Sequence, residues 1–358
     1  MRKRDITIQE IADQTGVSIA TVSNVLNRNA GMVGEKTRER IFETVKHLGY
    51  RPSRKAAQLR KKLNLTISFQ IDSRIAEDNI WRPVVLLQMM IIQGICSYAY
   101  SQSYHVNLIV PEMGTDMESL ESVITRDDAI DGIILGGWQS ASKVSEDEIN
   151  QLLATIEHYG IKSVTIDHKI HQKGVPAISV DLKSGIQKAC LRMQELKHRQ
   201  AAYIGPFGFI NPHFNVSRLD IFEDELKNAG IEFSEKDIYE AYNELGAYKK
   251  TLALIKSNQS LPTCIIYGAD HLAMAGIEAL HDCNIKVPED VSIIGVDNAP
   301  YSAASPVELA SIDQKHRQQG MMLSKMLLDR INYPDMPLTS LSIIESDFIE
   351  RRSLACAR

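Results

Sequence analysis

The chain has 358 residues, 44% of them hydrophobic, and a formal net charge of −5. That length allows two or three domains of ordinary size, and the composition is that of a soluble globular protein. It excludes a membrane-spanning protein: no apolar run reaches the roughly 18 residues a membrane helix needs, and the nearest, Val84 to Ile95, is broken by Gln88 and Gln93. The basic start has no apolar stretch behind it, so no signal peptide is read and a cytoplasmic location is expected. Five cysteines, with no CxxC pair, read as reduced thiols with neither metal nor redox role, and no cofactor is expected.

In chain order, the first element opens at Thr7, an N-cap candidate. Ile8, Ile11, Ala12 and Thr15 then recur at helical spacing until Gly16, which tolerates a left-handed backbone. Ser18 can cap a second helix, in which Val22, Val25 and Leu26 face the first. Ile19, Ala20, Thr21, Ser23, Asn24 and Asn27 are left outside. Two short helices joined at a glycine turn form a helix-turn-helix, whose second helix reads the major groove of DNA. A third helix, roughly Glu35 to Leu48, offers Ile41, Phe42, Val45 and Leu48 to the same core. The alternative, a helix pair inside an ordinary bundle, is opposed by charge. Met1 to Lys62 holds fourteen Lys and Arg against six Asp and Glu, a net of +8, whereas the remainder carries −13. A basic module on an acidic body is the footprint of nucleic-acid binding by the module alone.

Beyond residue 63, apolar runs alternate with helix-length amphipathic segments. The runs are Thr66 to Ile71, Val106 to Val110, Gly132 to Leu135, Ser163 to Asp167, Ala202 to Ile204, Cys264 to Tyr267 and Val291 to Val296; helices are expected at Leu86 to Ser101, Ser184 to Leu196 and Arg218 to Leu226. This grammar predicts an α/β core of two doubly wound parallel-sheet lobes, with ligand bound at the carboxyl ends of the strands and therefore between the lobes.

The motif GVSxxTVSxVLN at Gly16 to Asn27, KTRERI…LGYRP at Lys36 to Pro52, HRxxxxIG at His198 to Gly205 and VPEDVSIIGVD at Val287 to Asp297 together resemble the lactose/galactose repressor (LacI/GalR) family of bacterial transcription regulators. The resemblance spans nearly the whole chain. It implies an amino-terminal all-α helix-turn-helix domain at 1–51, a hinge helix and linker at 52–63, and a periplasmic-binding-protein-like effector-binding and dimerisation core at 64–358. The chain is expected to cross between lobes near 176–180, 306–314 and 338–342. The implied DNA-contacting set is Thr7, Ser18, Ile19, Ala20, Thr21, Ser23, Asn24, Asn27, Thr37 and Tyr50, with Ser53, Lys55, Ala56 and Leu59 from the hinge.

In that family the hinge folds on DNA and inserts a leucine into the minor groove, which assigns the wedge to Leu59; the alternative is an apolar linker residue. Lys55 departs from the small aliphatic residue usual at its position and puts hinge-to-hinge packing in doubt. For the effector, the resemblance and the strand ends nominate Asp167, Arg218 and Asp297, each with a structural salt bridge as its alternative. Trp138 and Tyr242 are candidate stacking aromatics or, alternatively, core residues. Gly268, Ala269, Asp270 replaces the family's Ala-Asn-Asp, removing an amide that bonds a sugar hydroxyl, and a long loop from Asp72 to Pro83 replaces a short turn. Neither effector nor sign, inducer or corepressor, is legible.

Catalytic motifs are absent: there is no Walker lysine loop, no GxGxxG after a strand, no HExxH and no GxSxG, and His168 and His171 lack a carboxylate partner at site spacing. The expected protein is a homodimer, without a membrane partner, that binds a pseudo-palindromic operator and is controlled by a small polar effector. Control by a protein partner, or a solute-binding protein or enzyme with a vestigial helix-turn-helix, are the alternatives.

Overall fold

The computed structural model describes residues 7–26, 33–48, 66–70, 82–109, 121–122, 124, 130–136, 146–166, 175–207, 210–211, 214, 216–257, 261–337 and 339–357. Contacts divide the chain into Met1–Leu63 and Asn64–Arg358.

In the first unit, α1 (Ile8–Thr15) starts at a capping box. Thr7 Oγ1 accepts from the Glu10 amide at 3.3 Å while the Thr7 amide donates to Glu10 Oε2 at 2.7 Å, so two donors at the helix start are satisfied reciprocally. Gly16, at φ 63°, ends the helix and sends its N–H to Ala12 O. Ser18 Oγ accepts from the Thr21 amide at 3.1 Å and starts α2 (Ile19–Leu26). With α3 (Glu35–Leu48), these helices bury Ile11, Ala12, Val22, Val25 and Ile41, flanked by Ile8, Val17, Leu26, Val45 and Leu48. Phe42, expected in this core, is instead 48% exposed. Ile41, Val45 and Leu48 repeat at i, i+4 and i+7 on one stripe, and Phe42 falls one residue, about 100°, off it.

Among its described residues the second unit contains two six-stranded sheets and one short two-stranded pair. The first lobe holds β1 (Thr66–Gln70), α4 (Arg82–Ser101), β2 (His105–Ile109), β3 (Gly132–Leu135), α5 (Glu146–His158), β4 (Lys162–Ile166) and β5 (Ala177–Asp181). The second holds α6 (Lys183–Glu195), β6 (Ala201–Gly205), the short pair β7 (Ile210–Asn211) and β8 (Val216–Ser217), α7 (Arg218–Asn228), β9 (Ile238–Glu240), α8 (Glu244–Ser257), β10 (Cys264–Tyr267), α9 (Asp270–Asp282), β11 (Ser292–Val296), α10 (Pro300–Ala304) and β12 (Ala310–Asp313). The chain then returns to the first lobe through α11 (His316–Asn332) and β13 (Leu341–Glu345), and ends in the second with β14 (Asp347–Ile349). The sheets run β2-β1-β3-β4-β5-β13 and β9-β6-β10-β11-β12-β14. Both follow the same doubly wound order, with a reversal point between the first strand and the third. Every neighbouring pair is parallel except β12 with β14, an antiparallel edge on the otherwise parallel second sheet.

The chain passes between lobes at 182, 314–315 and 346; the second crossing meets the end of the expected 306–314, and the first and third come later than 176–180 and 338–342. The difference arises because β5 and β13 pair residue for residue from Ala177 with Leu341 to Asp181 with Glu345, which keeps both strands in the first sheet to their last residue. Ser346 binds the first and third crossings together, its amide donating to Asp181 O at 3.0 Å and its hydroxyl accepting from the Gly185 amide at 2.9 Å.

Helices α4 and α11 cross without room for side chains. A Cβ on Gly94 would lie 2.0 Å from Arg317 O, and one on Gly320 would lie 1.9 Å from Ile91 O, both backbone atoms that cannot swing aside. Gly320→Ala is therefore expected to force the helices apart and cost about 3 kcal/mol, the upper part of the range for overpacking. A melting temperature within a degree or so of wild type would contradict this contact.

Candidate functional site

The candidate DNA-contacting surface of the first unit is the outward side of α2. Val22 and Val25 anchor the helix in the core, and this leaves Ala20 and Asn24 exposed one turn apart, with Ile19 beside them at 43% exposure. Thr21 and Ser23 are half-buried, and Ser18 and Thr21 are engaged with each other, their hydroxyls 2.9 Å apart. Thr7 is committed to the α1 cap, and Thr37 lies in the first turn of α3, its amide donating to Gly34 O at 3.0 Å. Asn27, Tyr50, Ser53, Lys55, Ala56 and Leu59 lie outside the described residues, as do Trp138, Asp167, His168, His171 and the Asp72–Pro83 loop apart from its last two residues.

In the second unit, Arg218 and Asp297 come together. The reversal point of the second sheet, between β6 and β10, is pinched: a Cβ on Gly268 would sit 2.5 Å from Tyr203 Oη and 2.9 Å from Pro206 Cδ, so only glycine lets the two strand ends approach. Arg218, first residue of α7 behind a capping box of Ser217 and Asp220, reaches across this point. Its Nη1 donates to Gly268 O at 2.7 Å and its Nη2 lies 3.7 Å from Asp297 Oδ1. The same carboxylate oxygen accepts from Gln314 Nε2 at 2.5 Å, which links the site to the second interlobe crossing. Asp297 is held at φ 113° and Asn298 at φ 50°, left-handed backbone at two consecutive non-glycine residues. Strain of this kind persists only where surroundings enforce it.

Asp270 is the enforcing group. It is fully buried, and its carboxylate accepts from Ser302 Oγ at 2.6 Å, Ser311 Oγ at 2.6 Å and the Ala299 amide at 2.8 Å, clamping the loop after β11 to the start of α9. Burial, then the neighbouring Asp297, pushes the Asp270 carboxyl up to about 7 despite those donors. Burial, offset by Arg218 and the Gln314 amide, pushes Asp297 up to about 6. His271 and His316 move the other way, to about 4, through burial and then the Arg218 charge.

A carboxyl with a higher pKa in the folded state stabilises the fold at pH below its unfolded pKa. That contribution is lost as pH rises through the folded value, here about 6. Asp297→Asn removes it, whereas the opposite drift from the two histidines remains in both proteins. The melting temperature of wild type relative to Asp297→Asn is therefore expected to be higher at a pH of about 4.5 than at about 7.5. Equal differences at the two pH values would refute the assignment.

A cavity of about 550 Å³ lies between the lobes, lined by Leu86 of α4 and by Glu244, His271, Met274, Ala275, Glu278 and Tyr301. Tyr242 is 51% exposed, which removes its alternative as a core residue, and its hydroxyl donates to Glu240 Oε1 at 2.5 Å. The sequence reading missed His271, Tyr301, Gln314 and His316. These come from four separate helix ends and crossings, and no local motif marks them. Among the described residues no group of three or more His, Cys, Asp or Glu is placed to hold a metal ion, and no helix is long and apolar enough to cross a membrane.

Comparison with known proteins agrees with both halves. Residues 7–53 match the family of bacterial regulatory proteins, lacI family, and residues 192–354 match the periplasmic binding protein-like domain. The HTH-type transcriptional regulator RegA of Clostridium saccharobutylicum is 25% identical over 97% of this chain and 98% of its own. The HTH-type transcriptional repressor PurR of Glaesserella parasuis serovar 5 is 27% identical over 93% of each chain. The crystal structure of the Lac repressor dimer bound to operator and the anti-inducer ONPF superposes with a TM-score of 0.66 at 20% identity, covering 98% of this chain and 100% of that one. The chain belongs to the LacI family of bacterial regulatory proteins and is a DNA-binding transcriptional regulator, with a helix-turn-helix followed by a two-lobed periplasmic-binding-protein-like core.

Proposed function

We propose that the chain is a homodimeric repressor that binds a pseudo-palindromic operator and whose operator affinity is set by a small polar effector held between the two lobes. The observation that carries the reading is the Arg218–Asp297–Gln314 cluster. It pairs a donor fork with an acceptor at the reversal point of a doubly wound sheet, and its third member sits on a chain crossing. An effector that closes on this cluster favours one arrangement of the lobes, and only such differential affinity can change operator binding.

Ile19, Ala20 and Asn24 would read bases, with Ser18, Thr21, Ser23, Asn27, Thr37, Tyr50, Ser53, Lys55 and Ala56 positioning the protein on the backbone and Leu59 as the minor-groove wedge. Asp167, Trp138 and Tyr242 would complete the effector site with Arg218 and Asp297. Two-fold symmetry doubles the few base contacts that one recognition helix makes. The relatives support the reading as regulators and repressors, and the superposed Lac repressor dimer carries both an operator and a small molecule.

The test is selection of duplexes from a random library by the full-length chain. Recovery of an inverted repeat with half-sites about one helical turn apart supports the reading; recovery of no preferred sequence rejects it.

A further inference from the structure

The loop that carries Asp297 is strained at two successive residues, Asp297 at φ 113° and Asn298 at φ 50°. Side chains other than glycine stay in such a backbone only where their surroundings hold them, although asparagine tolerates it better than most. Asp270 holds this loop from inside the lobe. Its carboxylate accepts from the Ala299 amide and the Ser302 hydroxyl, and through Ser311 Oγ it also reaches the Asn298 amide, which donates to that oxygen at 2.9 Å. None of these bonds engages the Asn298 side chain.

That side chain is gripped from more than fifty residues further along the chain. Strand β14 lies antiparallel to β12 and pairs Ile349 with Ser311, so Arg351, two residues on, comes to rest beside Leu309. Its Nη1 donates to Leu309 O at 2.7 Å and its Nη2 to Asn298 Oδ1 at 2.6 Å, the two arms of one planar fork. The fork is anchored on both sides. β14 precedes it, and Ser353 beyond it is fully buried, its hydroxyl donating to Ile293 O at 2.6 Å and accepting from the Ala310 amide at 2.8 Å. A bond from a charged donor is shorter and stronger than a neutral one, so the half-buried Arg351 is a stiff support for Asn298.

We infer that Arg351 is a positioning residue of the site: by gripping the Asn298 side chain it fixes the left-handed backbone that aims the Asp297 carboxylate at Arg218 and Gln314. This role rests on the interlobe reading above, which makes Asp297 a ligand group, and Arg351 acts through Asn298 rather than on a ligand. The groups around Asp297 are Arg218 on α7, Asp270 on α9, Tyr203 on β6 and Tyr301 on α10, with His271 and His316 beside Arg218. Arg218 and Asp270 supply the charge felt at Asp297, so Arg351 acts by position. Releasing Asn298 lets the Asp297 carboxylate turn out of the burial that raises it, toward solvent and an ordinary carboxylate value.

The experiment follows thermal melts of the full-length chain, without added ligand, at a pH of about 4.5 and of about 7.5. The difference in melting temperature between wild type and Asp297→Asn is expected to be about 3 °C larger at the lower pH, since burial keeps the carboxyl protonated up to about 6. In an Arg351→Met background, the same change at Asp297 is expected to give differences that agree to within about 1 °C at the two pH values. Arg352→Met removes the same charge from the exposed neighbour and should keep the full pH dependence. Asn298→Gly removes the gripped side chain while glycine accepts a φ of 50° without steric cost, so this variant is expected to fold and to lose the pH dependence as Arg351→Met does. Combining the two should change nothing further, because both break one contact.

Retention of the pH dependence in Arg351→Met or in Asn298→Gly overturns the positioning role, even where the melting temperature falls, because a lower melting temperature alone reports only lost contacts of the tail. If Arg351→Met does not fold, Asn298→Gly decides alone. Absence of the pH dependence in the wild-type background also overturns it, since Asp297 would then not occupy the buried position, and so does its loss in Arg352→Met, which would make the effect one of charge. No effector is present in these melts. Their outcome is therefore separate from that of the interlobe reading, which fails if the operator response survives Arg218→Ala.

Discussion

Arg218→Ala is expected to abolish the response of operator affinity to the effector. The ratio of operator dissociation constants measured with and without the bound effector should fall to about one, within error, because the variant no longer prefers either lobe arrangement when ligand is added. The magnitude comes from the geometry. One arm of the guanidinium is spent on Gly268 O at 2.7 Å, and the other stands 3.7 Å from Asp297 Oδ1, which leaves a donor and an acceptor side by side for one ligand group. Truncation deletes a charge-assisted bond and leaves a buried carboxylate less compensated. About 3 kcal/mol of effector binding, on the order of a hundredfold in Kd, is lost in such cases. Fluorescence anisotropy on a labelled operator measures this directly, and a response that survives in full would move the site elsewhere.

The second large effect belongs to the reading helix. Asn24 is exposed one turn beyond Ala20, and an asparagine there can pair bidentately with adenine at N6 and N7. Asn24→Ala should cost about 1–3 kcal/mol per half-site, and therefore up to about 6 kcal/mol over a two-fold operator. The loss should be confined to operators carrying the preferred base. Replacing that base pair should cost wild type a similar amount and the variant almost nothing. Repeated duplex selection with the variant tests this, and the same base preference in both proteins would remove Asn24 from the reading set.

How far the sequence was legible depended on whether a feature was local. The helix-turn-helix was readable because Thr7, Gly16 and Ser18 are caps whose partners lie within four residues, and the strands of both sheets were readable where burial on both faces leaves an unbroken apolar run, as in Cys264–Tyr267. Strands β5, β12 and β13 were not, although their serines Ser179, Ser311 and Ser342 interrupt them no more than Ser68 and Ser163 interrupt β1 and β4, and β9 and β14 are only three residues long. Arg218 and Asp297 could be nominated because each stands at an element boundary, Arg218 opening a helix and Asp297 closing the motif that begins at Val287. Asp270 was noted only for its missing amide neighbour, although its carboxylate organises the loop that positions Asp297. His316 belongs to no motif. Gln88 did leave a trace, as a polar residue inside the otherwise apolar stretch from Val84 to Ile95, but sequence alone could not distinguish a solvated position from a buried one.

The central claim is that the effector and operator sites are thermodynamically coupled through one chain. The most direct measurement is a pair of titrations on the full-length protein: operator affinity with and without saturating effector, and effector affinity with and without saturating operator. Coupling through the fold requires the two factors to be equal, with a typical size of about 5- to 150-fold. Equal factors in that range are the result expected here; an effector that binds tightly between the lobes yet leaves operator affinity unchanged would contradict the account.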